Sequence, residues 1–342
     1  MFGKRDLLKA SLALGAGMML PRGAFAADWN ATLAAAKTEG KASIYSAGIA
    51  QVEEPLMAAF SRASGIAVDY ARPGGGEVIM RKFEQELNGG APTADVCWLS
   101  DYALGLYALE KGWVATPEMP NTTKLAKAFQ ITDKGLYPAA GMGLVIVVNE
   151  RLMPADKAPR RYADLIDPRY KGQILFGAPE NAGTTTLLVA ALVEQYGWDF
   201  VRKLRANDAG EMRLQAEAMQ AVARGEKPIC VVAQAWGYLT QLQGAPIRMI
   251  FPEDGTVMAR YCLFVNKKSP RPAAAAVLAN HLLSAEYQGS LGEKSGSYGT
   301  NADAPTPKGM PPISDIKTYE PNLVELTAKR GEIIDNWRKI MS

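Results

Sequence analysis

Histidine is nearly missing: the only one, His281, lies in "VLANHLLSAEY". Ser-His or Cys-His chemistry therefore has almost nothing to build on. No H-E-x-x-H, G-x-S-x-G or dinucleotide G-x-G-x-x-G motif stands in its proper context. Adjacent carboxylates such as Glu53 with Glu54, or Glu253 with Asp254, read as solvated faces or turns, and an exported hydrolase is the minority reading. The chain is expected to be no enzyme and to carry no cofactor. Cysteine is scarce as well. Cys97, Cys230 and Cys262 fall in the apolar runs "DVCWL", "PICVV" and "RYCLF", an odd number with no C-x-x-C spacing. That pattern argues against a thiolate metal site and for buried thiols.

An excess of charge is also lacking. The whole chain of 342 residues carries a formal +3. Its first 26 residues hold Lys4, Arg5, Lys9 and Arg22 against Asp6, so that segment accounts for the whole surplus. A nucleic-acid partner, which requires a basic surface, is not expected. The same segment has a basic start, an apolar stretch from Ala10 to Leu20 and a small-x-small site at Ala24 and Ala26. It reads as a secretory signal cleaved after Ala26, too short to remain as a membrane anchor. "KRDLLK" is similar to a twin-arginine signal, with Lys4 at the first arginine position, and no cysteine follows the cleavage site to carry a lipid. A soluble periplasmic product follows, in an oxidising compartment where one disulfide among the three cysteines stays open.

What is present is an alternation of strand and helix patterns. "KASIYS", "GIAVDYAR" and "ADVCWLSD" read as strands. Between them, Val52, Leu56 and Phe60, then Ile79, Phe83 and Leu87, recur at spacing four on helices. From Thr116 to Pro138 the chain is irregular and polar, and then "GLVIVVNERLMP" opens with a fully apolar run suited to crossing between domains. A second set follows: "QILFGAP", a long helix from Thr184, the helix "EMRLQAEAMQAVARGE", "PICVVAQ", "AWGYLTQLQG", "IRMIFPEDG" and "ARYCLFVNKKSP", with two helical stretches to the end. Such order predicts an α/β protein with largely parallel sheets.

"GAPENAGTTTLL", Gly177 to Leu188, stands between strand and helix like a phosphate loop. Five residues rather than four separate Gly177 from Gly183, and Thr184 stands where a P-loop has lysine, so a nucleotide is not expected. The start of that helix still offers backbone N–H groups to a small anion, with a plain helix cap by Thr184 as the alternative.

Several of these stretches, in this order and spacing, resemble the periplasmic solute-binding proteins of ABC transporters, in the branch similar to the ferric-ion-binding proteins. They are "GKASIYSAG", "ADVCWLSD", "LVIVVNERL", "YADLIDPRYKGQILFGAPENAGT", "AVARGEKPICVV", "FPEDG", "LFVNKKSPRPAAA" and "RGEIIDNWRKIM", and they span nearly the whole mature chain. The resemblance implies a two-lobed periplasmic-binding-protein (type II) fold with hinge strands between lobes. Lobe one would be residues 27–138 plus 258–342, and lobe two 139–257. It also implies a monomer, a small solute captured in the cleft by hinge closure, and an inner-membrane ABC permease as partner.

Strand ends and helix starts are where such a cleft binds. The candidates there are Tyr45 and Ser46, Gly75 and Gly76 within "RPGGGEVIM", Ser100 and Asp101, Asn181, Thr184 and Thr185, Trp236 and Tyr238, and Arg260 beside Tyr261. The favoured ligand is a small oxyanion: a phosphonate, organophosphate or carboxylate. A polyamine met by Asp101 and Trp236 is an alternative. So is ferric ion, which the iron branch holds with two adjacent tyrosines. Here "QAWGYL" keeps only Tyr238 of that pair, and hard Fe(III) wants charged oxygen ligands, so no metal is assigned.

Overall fold

The computed structural model describes residues 22–90, 94–126, 129 and 134–342. The secretory segment therefore falls largely outside the described residues. Among those that are described, no helix is long and apolar enough to cross a membrane.

The first half runs α1 (Arg22–Glu39), β1 (Lys41–Ser46), α2 (Ala50–Ser64), β2 (Ala67–Ala71), α3 (Gly76–Asn88), β3 (Val96–Leu99), α4 (Tyr102–Glu110), β4 (Val114–Ala115) and the long β5 (Leu136–Asn149). The second set follows as β6 (Ile174–Gly177), α5 (Gly183–Tyr196), α6 (Trp198–Ala206), β7 (Gly210–Met212), α7 (Gln215–Ala223), β8 (Ile229–Ala233), α8 (Gln234–Leu242), β9 (Ile247–Ile250) and β10 (Thr256–Asn266). The chain closes with α9 (Pro272–Leu282), α10 (Ala285–Ser295), β11 (Thr318–Tyr319) and α11 (Leu323–Met341).

The strands lie in the order β2-β1-β3-β10-β5-β8-β6-β7. β1 is parallel to β2 and β3, and β6 is parallel to β7 and β8. These two parallel sets are the sheets of two lobes. They are joined by β5 and β10, which pair with each other antiparallel and extend into both. The expected apolar crossing is the centre of β5: Leu144, Val145, Ile146, Val147 and Val148 are fully buried. Helices cover both faces of such a strand, which is why it reads as a continuous apolar run.

Three details depart from the sequence reading. β5 begins at Leu136, inside the stretch read as irregular. Pro138 and the glycines Gly141 and Gly143 hide it, and the ladder with β10 accommodates them by slipping register so that Tyr261 faces Ala140 and Cys262 faces Pro138. The helix from Thr184 stops at Tyr196, where Gly197 takes a φ of 72°, and a separate helix that the pattern did not mark, Trp198–Ala206, follows. Glu211 and Met212, read as the start of a helix, instead pair with Gly210 in register with Leu175 to Gly177 as an edge strand.

The end of the chain also differs from its assignment to lobe one. α11 bridges the two lobes, packing on α4 of lobe one and equally on α5 and α6 of lobe two. Trp337 anchors it there: fully buried, edge-on to Phe176 at 5.7 Å, with its indole N–H donated to Glu211. Burying an indole draws the helix to whichever surface can cover it, and local periodicity does not say which.

All three cysteines are free and buried, and burial pushes each thiol up. His281 stacks between Phe60 at 4.7 Å and Tyr287 at 5.3 Å, where burial lowers its basicity.

Candidate functional site

A cleft of about 560 Å³ opens between the lobes. Five helices begin on it: α2 at Ala50 and α3 at Gly76 from lobe one, and α5 at Gly183, α7 at Gln215 and α8 at Gln234, with its neighbours Ala235 and Trp236, from lobe two. Their N-caps are Ile49, Gly75, Ala182, Leu214 and Ala233. For α2, α3, α5 and α8 the N-cap side chain makes no capping hydrogen bond, since these residue types carry no acceptor for it. Helix starts usually carry Ser, Thr, Asp or Asn to satisfy exposed N–H groups. Here the positive ends of several helices meet in one cavity without that neutralisation, which suits an anion.

Gln215 fixes the best defined of these helix ends. Its amide N–H group donates to Thr184 Oγ1 at 2.9 Å and Thr185 Oγ1 at 2.7 Å, while its Oε1 accepts from Ala233 N at 2.8 Å. The start of α5 is thereby tied to the end of β8. Because the Thr184 hydroxyl accepts from Gln215, its own proton remains available for donation, and Thr184 lines the cleft. Thr184 is thus no helix cap: that position is Ala182.

Charge in the cleft comes from Arg72, Arg213 and Arg330 against Glu77 and Glu180. Arg213 pairs with Glu217 at 3.0 Å at the exposed rim, and Arg330 pairs with Glu77 and with Asp101. Arg72 differs: its Nε donates to Gly48 O at 2.6 Å, and among the described residues no carboxylate lies in ion-pair range of it. Its terminal nitrogens remain for a ligand, and a guanidinium fork matches carboxylate and phosphonate oxygens.

Of the residues singled out by sequence, Gly75, Gly76, Ser100, Asn181, Thr184 and Trp236 line the cleft, and Tyr261 joins them. The others lie elsewhere. Tyr45 is buried with its hydroxyl donated to Glu86 at 2.7 Å. Ser46 faces away from the cleft, donating to Glu53 and accepting from Gly48 N at 3.0 Å. Asp101 caps α4 by accepting from Ala103 N at 2.9 Å, and Arg330 occupies its other oxygen. Thr185 is covered beneath Thr184. Tyr238 packs with Tyr298 and Met310, its hydroxyl donated to Glu293 O at 3.1 Å. Arg260 pairs with Glu320 behind the cleft.

Arg72, Gln215 and Arg330 were not foreseen. Arg72 could have been found, since it directly follows a strand and precedes the glycines of "RPGGG". Arg330 sits in mid-helix near the chain end and gives no local signal.

Glu53 also corrects its reading as part of a solvated acidic face. It is 3% exposed, on the same side of α2 as Val52, Met57 and Phe60. Its carboxyl accepts from Ser46 Oγ and from Tyr70 OH at 2.8 Å, and it packs so closely that a side chain at Gly48 would meet it. Burial pushes it up from 4.5 to about 7, against the lowering pull of those two hydroxyls and Arg72.

Two lobes around a helix-lined cleft, with hinge strands between, define a bilobal binding protein rather than a channel or a nucleic-acid reader. The chain belongs to the bacterial extracellular solute-binding proteins, whose family pattern matches residues 92–313. Among curated relatives it is similar to a putative 2-aminoethylphosphonate-binding periplasmic protein of Salmonella typhimurium, 23% identical over 300 residues, 82% of this chain and 85% of that one. Its fold matches AfuA of Actinobacillus pleuropneumoniae with exogenous fructose-6-phosphate bound: TM-score 0.77, 22% identity, 88% of this chain and 98% of that one. It also matches iron-bound HitA of Pseudomonas aeruginosa: TM-score 0.78, 19% identity, 88% and 99% covered. Those structures share the two-lobed periplasmic-binding fold expected from the sequence.

Proposed function

We propose that this protein is the periplasmic receptor of an ABC importer, a monomer that closes on a small organic oxyanion, a phosphonate or phosphate ester, and delivers it to an inner-membrane permease. The observation that carries this reading is the convergence of helix starts without N-cap side-chain acceptors on a cleft in which Arg72, among the described residues, has no carboxylate in ion-pair range. Ser100 and Thr184 add hydroxyl donors, and Trp236 a flat apolar wall. In the closed state both lobes donate to one ligand, which stabilises closure over the open form. The aminoethylphosphonate named for the Salmonella relatives fits this class through its phosphonate group; of the carboxylates lining the cleft, Glu77 is paired with Arg330 and Glu180 with Arg338.

The ferric alternative has the HitA likeness behind it but lacks chemistry. Tyr238, the matching tyrosine, lies outside the cleft lining. Tyr261, which does line it, has its phenol pushed well up by burial and the nearby Glu53. Hard Fe(III) favours several charged oxygen ligands, and among the described residues of the lining Tyr261 has no second tyrosine beside it. A polyamine meets the same difficulty, because Asp101 is already paired.

Thermal shift of the mature protein against 2-aminoethylphosphonate, sugar phosphates, dicarboxylates, polyamines and Fe(III) with carbonate decides among these. A true ligand at a hundred times its dissociation constant adds about 2.7 kcal/mol of stability. Thr184→Val and Arg72→Gln should each weaken the anion, Arg72→Gln by about tenfold to a hundredfold, as expected for a charged hydrogen bond worth about 1.5–3 kcal/mol. Stabilisation by ferric ion alone, with colour, would overturn the oxyanion reading.

A further inference from the structure

Arg330 reaches across the boundary between the lobes. It stands on α11, whose far end is fixed in lobe two by Trp337, buried beside Phe176. Its guanidinium nevertheless pairs with Glu77, at the start of α3, and with Asp101, at the start of α4, both in lobe one. The remaining nitrogen lies 3.4 Å from Thr186 Oγ1 of α5, in lobe two. The side chain is 13% exposed and the Asp101 carboxyl 2%. At the same place the lobes nearly touch. A methyl group on Gly183 of α5 would stand 3.0 Å from Asp101 Cβ, and one on Gly75, the N-cap of α3, would stand 3.7 Å from Asn181 O.

We infer that Arg330 is an inter-lobe clamp, a positioning residue that holds the starts of α3 and α4 against lobe two and biases the protein toward the closed form before any ligand arrives. The geometry of its three partners carries this. A guanidinium offers five donors in a planar fork, so one side chain can satisfy two carboxylates and a hydroxyl at once, which a lysine ammonium does less well. Opening that draws α3 and α4 away from Arg330 would return both carboxylates to water. Losing Arg330 instead leaves Asp101 buried without its counter-charge in the closed form alone, so the penalty falls on closure and not on the fold. The clamp acts on lobe position and needs no particular ligand. It therefore stands or falls independently of the oxyanion reading.

The test is double electron–electron resonance on the ligand-free mature protein, with spin labels at Gln85→Cys on α3 and Leu242→Cys on α8. The native cysteines are buried and remain unlabelled. The parent should show a substantial population at the shorter, closed distance. Arg330→Met should shift the distribution to longer distances, Arg330→Lys should restore part of it, and Glu77→Gln, at a partly exposed partner, should move it in the same direction by less. Circular dichroism of each variant separates a shifted lobe from a lost fold. Distributions that coincide across the parent, Arg330→Met and Glu77→Gln would overturn the clamp.

Discussion

Replacing Glu53 by glutamine should remove a pH dependence of stability that runs opposite to that of a salt-bridged carboxylate. In the folded protein the carboxyl lies 3% exposed against Gly48. The groups facing it are the hydroxyls of Ser46 and Tyr70 and the Arg72 guanidinium, with the phenols of Tyr261 and Tyr287 sensing its charge. Burial raises it from 4.5 to about 7, a displacement equivalent to about 3 kcal/mol. Below pH 4.5 the group is protonated whether the chain is folded or not, and its contribution is fully present. From there to about 7 the folded state holds a proton that the unfolded chain has lost, so stability falls as pH rises; above about 7 the loss is complete. Urea denaturation of parent and Glu53→Gln in half-unit steps from pH 4 to 8 isolates the effect, since every other group cancels in the difference. The parent's advantage should shrink by about 3 kcal/mol across that range, which at a urea slope of about 3 kcal/mol/M moves the midpoints by about 1 M relative to each other. Parallel profiles would mean that Glu53 is ionised at neutral pH and that its burial is compensated by Arg72 and the hydroxyls.

Gly183→Ala places a methyl group 3.0 Å from Asp101 Cβ only when the lobes are together. Ligand affinity should fall several-fold while the ligand-free melting temperature holds, because Gly183 is the first residue of α5 and not in its interior; titration calorimetry with scanning calorimetry checks both. Trp337→Ala should cost about 3–5 kcal/mol and release α11, read as a drop in the urea midpoint and as amide exchange along residues 323–341. Raising the pH through about 7 should weaken binding of a sulfonate probe of constant charge, because ionised Glu53 offsets Arg72, and Glu53→Gln should abolish that trend.

The alternation of strands and helices was legible because each element's buried face is set locally: Ile79, Phe83 and Leu87 line the inner side of α3 as their spacing required. The crossing strand showed itself only where it is wholly aliphatic, from Leu144 to Val148. Its first half, "LYPAAGMG", looks like a loop until β10 is laid beside it. In the cleft, Gly75, Gly76, Ser100, Asn181, Thr184 and Trp236 could be placed because strand ends and helix starts dictate position. Tyr45 and Ser46 stand at a strand end too, but which way a terminal side chain turns depends on partners, here Glu86 and Glu53, far from it in the pattern. Arg330 and Gln215 were invisible for the same reason: their roles exist only once distant segments meet.

β5 and β10 carry one further consequence. Their ladder runs unbroken from one lobe to the other apart from the slip at Tyr261 and Cys262. Rocking about such a ribbon redistributes twist over many residues and breaks no hydrogen bond at any one of them. The pivot of this molecule should therefore be among its slowest regions to exchange amide protons. A protection map read in the ordinary way would label it rigid, and the proposed hinge movement would then be sought in the surface loops instead.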